Sequence, residues 1–181
     1  MTVRRGSPSL RGTKVRRPSP RRKAAERSPP ESSPATARIL LVPGDEEVAL
    51  HEIARFLEKL EQRVLIFEEQ PNLGRTEIEK VEQTAIDFAV VLLAPSDRGG
   101  AAGVGFDQQQ PRAGQRVILE LGRLSGILGR DRVFALYRPG LEIPSTDKGL
   151  LYVELDSGGG WKLQLARELR AHCGVDMNKA L

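Results

Sequence analysis

The sequence predicts an α/β fold, a doubly wound five-stranded parallel sheet with helices on both faces. Three observations carry that expectation. Short apolar runs alternate along the chain with stretches whose apolar residues recur at helical spacing. The runs end at turn-forming residues, such as Pro43-Gly44-Asp45 after the first. The run from Asp87 to Ala94 is apolar almost without interruption, which suits a strand covered on both faces at the centre of a parallel sheet.

Residues 1–37 stand apart from this pattern. They hold ten Lys or Arg against two acids, a net of +8, whereas the remaining 18 bases and 22 acids give −4. The basic character of the chain therefore belongs to a tail of Pro, Ser and Arg. Such a segment has little to bury, cannot offset its chain entropy and is expected to be disordered. Its arginines suit weak, salt-sensitive contact with nucleic acid; the simpler alternative is a solvated extension, or residues read upstream of the true start. The domain expected at residues 38–173 is mildly acidic and is no obvious nucleic-acid binder, and residues 174–181 read as a short C-terminal tail.

A single cysteine, Cys173, excludes an internal disulfide and a zinc site built of cysteines. The two histidines, His51 and His172, read as solvated helix residues. No apolar run reaches membrane-spanning length, and the Arg-rich N-terminus lacks the apolar core of a secretory signal. A soluble, cytoplasmic protein with no membrane partner is expected.

The elements follow in order. Arg38 to Val42 is a buried first strand that ends in a tight turn at Pro43-Gly44-Asp45. Asp45 is placed to cap the next helix, with Glu46 and Glu47 at its positive end, and Ala49, Ile53, Phe56, Leu57 and Leu60 keep helical period. Arg63 to Phe67 is the second strand. After a loop from Glu68 to Arg75, Thr76 with Glu79 forms a capping box for a helix through about Thr84. The central strand follows, then a long loop rich in Gly and Gln from Pro95 to Gly114. A helix begins near Gln115 and ends near Gly129. Arg132 to Tyr137 and Leu150 to Leu155 are the last two strands. Gly158-Gly159-Gly160 then leads into an amphipathic helix holding Trp161, Leu165 and Leu169.

In sheets of this kind ligands sit beyond the C-terminal ends of the strands, where the strand order reverses. The loops at that edge start at Pro43, Glu68, Pro95 and Arg138. The helix after the third loop carries a stripe of Val117, Ile118, Leu121, Leu124 and Leu128, and Glu120 falls at the edge of that stripe. A carboxylate there is expected to be half held by the fold and half turned to a cleft. Glu120 is therefore the first candidate for chemistry, the alternative being an ordinary solvated helix carboxylate. Arg75-Thr76, at a helix start, suits a nucleotide phosphate held by a guanidinium and free backbone N–H groups. A surface arginine at a helix start accounts for the same residues. No phosphate-binding lysine loop and no Gly-x-Gly-x-x-Gly between strand and helix is present. Asp45, Glu46 and Glu47 read as a helix start rather than a metal cage, so no metal is expected.

Four stretches, in order, carry a family resemblance: Glu69 to Lys80 (EQPNLGRTEIEK), Phe88 to Asp97 (FAVVLLAPSD), Gln115 to Gly122 (QRVILELG) and Trp161 to Leu169 (WKLQLAREL). Together they resemble the bacterial TIR-like family of predicted nucleotide-binding proteins. Some of its members are effector domains of cyclic-oligonucleotide and Pycsar-type antiphage systems. The resemblance covers residues 38–173 and implies a flavodoxin-like TIR domain. Active members cleave NAD+ between nicotinamide and ribose with a glutamate in the helix after the third strand, which here matches Glu120. NAD+ is then a substrate, and no cofactor is implied.

The same resemblance makes Gly44, Asp45, Arg75, Thr76, Ser96, Gln115 and Arg116 the candidate nucleotide contacts. It also implies a homo-oligomer on activation, since a neighbouring subunit commonly completes such sites. Three positions depart from the family pattern. Pro43-Gly44-Asp45-Glu46 stands where a His-Gly-His-Asp type turn is usual, Arg116 replaces an asparagine, and Arg123 replaces an aromatic residue. Arg116 either contacts phosphate or fills the pocket. The leading expectation is an NAD+ nucleosidase in antiphage or stress signalling, and the alternative is an inactive nucleotide-binding or adaptor module that acts through assembly. A third and weaker reading makes the basic tail a nucleic-acid tether.

Overall fold

The computed structural model describes residues 36–67, 85–144 and 149–180, all within the compact unit Ser32–Leu181. In chain order the elements are β1 (Arg38–Val42), α1 (Glu47–Lys59), β2 (Arg63–Ile66), β3 (Phe88–Leu93) and β4 (Pro95–Gly99). They continue with β5 (Gln110–Ala113), α2 (Gln115–Leu128), β6 (Val133–Tyr137), β7 (Leu151–Glu154) and α3 (Gly160–Cys173). The basic tail, the loop from Glu68 and the helix expected from Thr76 to Thr84 fall outside the described residues.

Five strands form one sheet in the order β2-β1-β3-β6-β7, and every pairing in it is parallel. This is the flavodoxin-like order, with the chain reversing direction across the sheet between β1 and β3. The register sets Leu41 beside Val90, Val90 beside Phe134 and Phe134 beside Leu151. All six residues of β3 are buried, as its unbroken apolar run requires for a strand covered on both faces.

Alternate residues of each strand feed two cores. On one face Ile39, Leu41, Phe88, Val90, Leu92, Phe134 and Leu136 meet α1 and α3 through Ile53, Leu57, Trp161, Leu165 and Leu169. On the other, Leu40, Val42, Ala89, Val91, Leu93, Val133 and Ala135 meet α2 through Val117, Leu121 and Leu124. Phe56 and Trp161 lock the first core with an edge-on ring contact, centroids 5.4 Å apart. The chain continues to pack after α3: Val175 is buried in the same core, with Met177 and Ala180 against it.

Two local expectations change. The stretch after Pro95 is not structureless, because β4 and β5 form an antiparallel hairpin that pairs Pro95 with Ala113 and Gly99 with Gln110. The first strand is largely exposed, the second buries only Ala113, and both lack apolar alternation, so nothing in their pattern marks them. They are held by backbone pairing, by Arg98 donating to the Gln109 carbonyl at 2.7 Å and by Arg98 lying over the Phe106 ring. Asp45 does not cap α1; the capping position is Glu46, and no side chain bonds to the helix end there. The Glu46 carboxylate is drawn instead to Arg138. At α3 the free amides are met from further upstream, since the Asp156 carboxylate accepts from the N–H groups of Gly160 and Trp161, each at 3.1 Å.

Candidate active site

The C-terminal end of β3 is where the described candidates converge. Gly44, two residues after β1, lies against it so closely that a Cβ would fall 2.7 Å from the Leu92 carbonyl oxygen and 2.9 Å from the Ala94 Cβ. Only a glycine admits this approach, which brings the backbone of the β1 loop onto the end of the neighbouring strand. Ser96 leaves the same strand end. Its Oγ sits 2.9 Å from where a Cβ on Gly114 would stand, so the start of α2 packs on the serine because position 114 has no side chain. Gln115 and Arg116 then open α2 with exposed side chains, and Gly114, at the capping position, provides no side-chain acceptor for the first amides of the helix. Free amides at a helix start favour an anion.

Glu120 lies one turn further along α2. It is the buried charged residue of the described chain, 5% exposed, on the side of the helix that carries Val117, Leu121 and Leu124. This is deeper than its place at the edge of the apolar stripe implies. Arg123, one turn on, is among its partners: its Nη1 stands 3.5 Å from Glu120 Oε2, and its guanidinium is itself mostly withdrawn from water. A buried carboxylate needs such a partner, and a glutamate preceding a basic residue by one helical turn is the favourable orientation.

Around this centre the loops are tied by ion pairs that the sequence pattern does not announce. Arg138, just beyond β6, donates from Nε to Glu46 Oε2 at 2.8 Å and from Nη2 to Glu46 Oε1. The guanidinium, through its hydrogen bond and its charge, holds the Glu46 carboxyl below the ordinary carboxylate range, and burial opposes it only in part. The loop after β6 is also fastened to the hairpin: Arg112 makes a two-pronged pair with Glu142 at 2.8 and 2.9 Å, and the Glu142 N–H donates to the Pro111 carbonyl. The loops after β1 and β6 and the hairpin after β3 are thus joined at one edge of the sheet.

The structure therefore sets Gly44, Ser96 and the start of α2, with Gln115 and Arg116, at the C-terminal end of β3, with Glu120 further along that helix and Asp45 exposed on the adjoining loop. Arg75 and Thr76 lie outside the described residues. The helical spacing of Arg123 from Glu120 and the position of Arg138 just past a strand end are both readable in the sequence, but their pairings are not. His51 is exposed on α1, and His172 lies half-buried against the Phe88 ring, far from Glu120 on the opposite face of the sheet. A surface cleft of about 800 Å³ also lies on that opposite side, along the outer face of α1 between Glu47 and Lys59, so it has no part in the Glu120 region. Among the described residues no helix is long and apolar enough to cross a membrane.

This arrangement is that of a doubly wound α/β domain of the TIR type, and Glu120 lies in the helix that follows its central strand. The family model described as "CAP12/Pycsar effector protein, TIR domain" matches residues 38–157, and the chain belongs to that family. It is also 41% identical over 152 residues to "Uncharacterized protein YuaY" of Escherichia coli (strain K12), a match that covers 82% of this chain and 50% of the relative. The chain thus spans about half the length of the curated relative it matches.

Proposed function

We propose that this chain is an NAD+ nucleosidase that hydrolyses the bond between nicotinamide and ribose, with Glu120 as the catalytic carboxylate. The observation that carries the reading is a buried acidic side chain, 5% exposed, just inside the helix that starts at the C-terminal end of the central strand. Departure of nicotinamide leaves a cationic, oxocarbenium-like ribose. A fixed carboxylate in a site withdrawn from water stabilises that charge and holds the ribose hydroxyls, as carboxylates do in glycoside hydrolysis. Water then adds to the sugar, giving ADP-ribose, nicotinamide and a proton.

In this reading the first amides of α2, with Gln115, Arg116 and Ser96, meet the phosphates or the adjoining ribose, with Gly44 and Asp45 on the neighbouring loop. Arg75 and Thr76 remain candidates for the diphosphate. Family membership supports an effector role in antiphage or stress signalling, with the active form assembled from several copies.

The test is nicotinamide release from NAD+ by purified protein at high concentration. Glu120→Gln is expected to lower the rate about a hundredfold or more. Absence of release by the parent chain under assembling conditions rejects the enzyme.

One observation favours a second reading, an inactive nucleotide-binding or adaptor module. The β1 loop lacks the histidines of the family pattern and is clasped by Arg138 through Glu46. That reading expects calorimetric binding of NAD+ or ADP-ribose without turnover, with Glu120→Gln leaving the affinity unchanged.

A further inference from the structure

We propose that Arg138 is a phosphate-binding residue at the sheet edge, and that Glu46 holds its guanidinium where a nucleotide phosphate binds, so that ligand and carboxylate compete for it. The inference rests on the placement of a nucleotide at this edge, which the enzyme and the inactive module above share.

In the sheet β3 lies between β1 and β6. Glu46 comes from the loop after β1 and Arg138 stands just past β6, so their pair spans the C-terminal end of β3. The Arg138 N–H donates at 3.2 Å to the carbonyl of Leu93, the last residue of that strand, which fixes the arginine backbone there. Strand order reverses between β1 and β3, and ligands of such sheets sit beyond the strand ends at that point. The clasp therefore lies over the ground that a ligand occupies.

Its chemistry is that of an anion site already filled. The guanidinium meets both oxygens of one carboxylate, from Nε at 2.8 Å and from Nη2, and the same fork fits two oxygens of a phosphate. Glu46 stands at the capping position of α1 yet its side chain bonds no amide of the helix, so the carboxylate is given to Arg138 instead. The guanidinium keeps that carboxyl below its ordinary range, and the ionised group goes on competing at neutral pH. The other acid whose charge bears on Arg138 is Glu52, and Lys162 already pairs with it at 2.8 Å. Nor is the clasp sealed: 33% of the Arg138 side chain and 28% of the Glu46 side chain stay exposed. Ion pairs open to water add little to stability, so a phosphate of greater charge displaces the carboxylate at small cost. A clasp closed in about nine molecules of ten lowers the apparent affinity about tenfold.

A merely structural clasp and a competing one differ in the sign of their response. The experiment titrates ADP-ribose, inorganic pyrophosphate and adenosine into the full chain by calorimetry. It compares the parent, Glu46→Gln, Arg138→Gln, the double variant and Glu47→Gln, which removes an exposed acid from the first turn of α1 and leaves the clasp intact. Thermal unfolding checks that each is folded, and Arg138→Lys, which keeps the charge without the fork, stands in should Arg138→Gln unfold.

Glu46→Gln is expected to bind ADP-ribose about tenfold tighter than the parent, well beyond any gain in Glu47→Gln. Arg138→Gln binds it about tenfold more weakly or worse, and Arg138→Lys falls in between. The double variant binds no tighter than Arg138→Gln, because the gain comes through the guanidinium. Pyrophosphate follows the same order and adenosine is indifferent to every change. The inference is overturned if Glu46→Gln gains no more than Glu47→Gln, if Arg138→Gln binds as the parent does, or if the double variant outbinds Arg138→Gln. Adenosine following the order overturns it too, and the order appearing with pyrophosphate alone overturns its assignment to a nucleotide. Nicotinamide release by the parent, measured alongside, reports on the enzyme separately: release with the wrong binding order leaves the nucleosidase standing, and the right order without release leaves only the binding site. No affinity for ADP-ribose or pyrophosphate in parent and Glu46→Gln alike overturns the placement of the nucleotide together with the inference.

Discussion

Gly44 shows at the scale of one residue how the sheet edge is assembled. Its Cα faces the end of β3 so directly that any side chain would press on the Leu92 carbonyl and on Ala94. Gly44→Ala is expected to destabilise the fold by about 1–3 kcal/mol, the usual penalty for overfilling a packed site. Chemical denaturation checks this as a lower midpoint with an unchanged slope. A wild-type midpoint would show that the loop yields at no cost. Glu120 teaches a related lesson. Its identity and its helix were legible, because the apolar spacing from Val117 to Leu128 fixes the face of α2. Its depth was not, because that depends on what packs around it in the folded chain, the guanidinium of Arg123 included. Helical spacing marks such a pair as possible, whereas burial of both members depends on what the rest of the chain leaves uncovered.

Among the elements, α3 and the hairpin divide along the same line. The helix was readable from Trp161, Leu165 and Leu169, and all three are buried where expected. Its cap was not, since Asp156 reaches across Ser157 and two glycines to the amides of Gly160 and Trp161. Those donors hold the Asp156 carboxyl below the ordinary value of 3.8. A carboxyl depressed in the folded state stabilises above its unfolded value, and that share is lost as pH falls through the folded one. Asp156→Asn is therefore expected to unfold at a lower temperature than the parent near neutrality. The gap narrows as the pH is taken below about 4, which calorimetry at several pH values would follow. A gap independent of pH would detach the cap from its charge. The hairpin lay beyond reach for a plainer reason. Its strands, PSDRG and QPRA, bury only Ala113 in the core, and the pairing that orders them is between backbones.

For the molecule as a whole, Cys173 reports on closure of the layer that α1 and α3 form over the sheet. Burial, aided by the negative charge of Asp87, pushes its thiol from 9.0 up to about 11. A thiol raised in the folded state binds its proton more tightly than in the unfolded chain. Stability is thus intact below about 9 and falls as the pH climbs towards 11. At pH 8 the folded protein is expected to react slowly with a thiol reagent and far faster once denaturant opens it. Equal labelling rates in the two states would mean that the α3 end stands open in the native protein. Such closure belongs to no single segment. It arises when β1, β3 and β6 divide their side chains between two faces and helices from distant parts of the chain cover each.

The alternation of strands and helices, the central place of the strand from Phe88 to Leu93 and the helix that carries Glu120 can all be read along the chain. Each rests on periodicity or continuous burial within some ten to fifteen residues, which local spacing records. The meeting of the β1 loop, the hairpin after β3, the start of α2 and Arg138 at one edge emerges only on folding. The clasp of Glu46 by Arg138 joins residues 92 positions apart. Its existence depends on the order in which the strands pair, and no local pattern encodes that order, because each parallel strand carries much the same apolar signal as its neighbours.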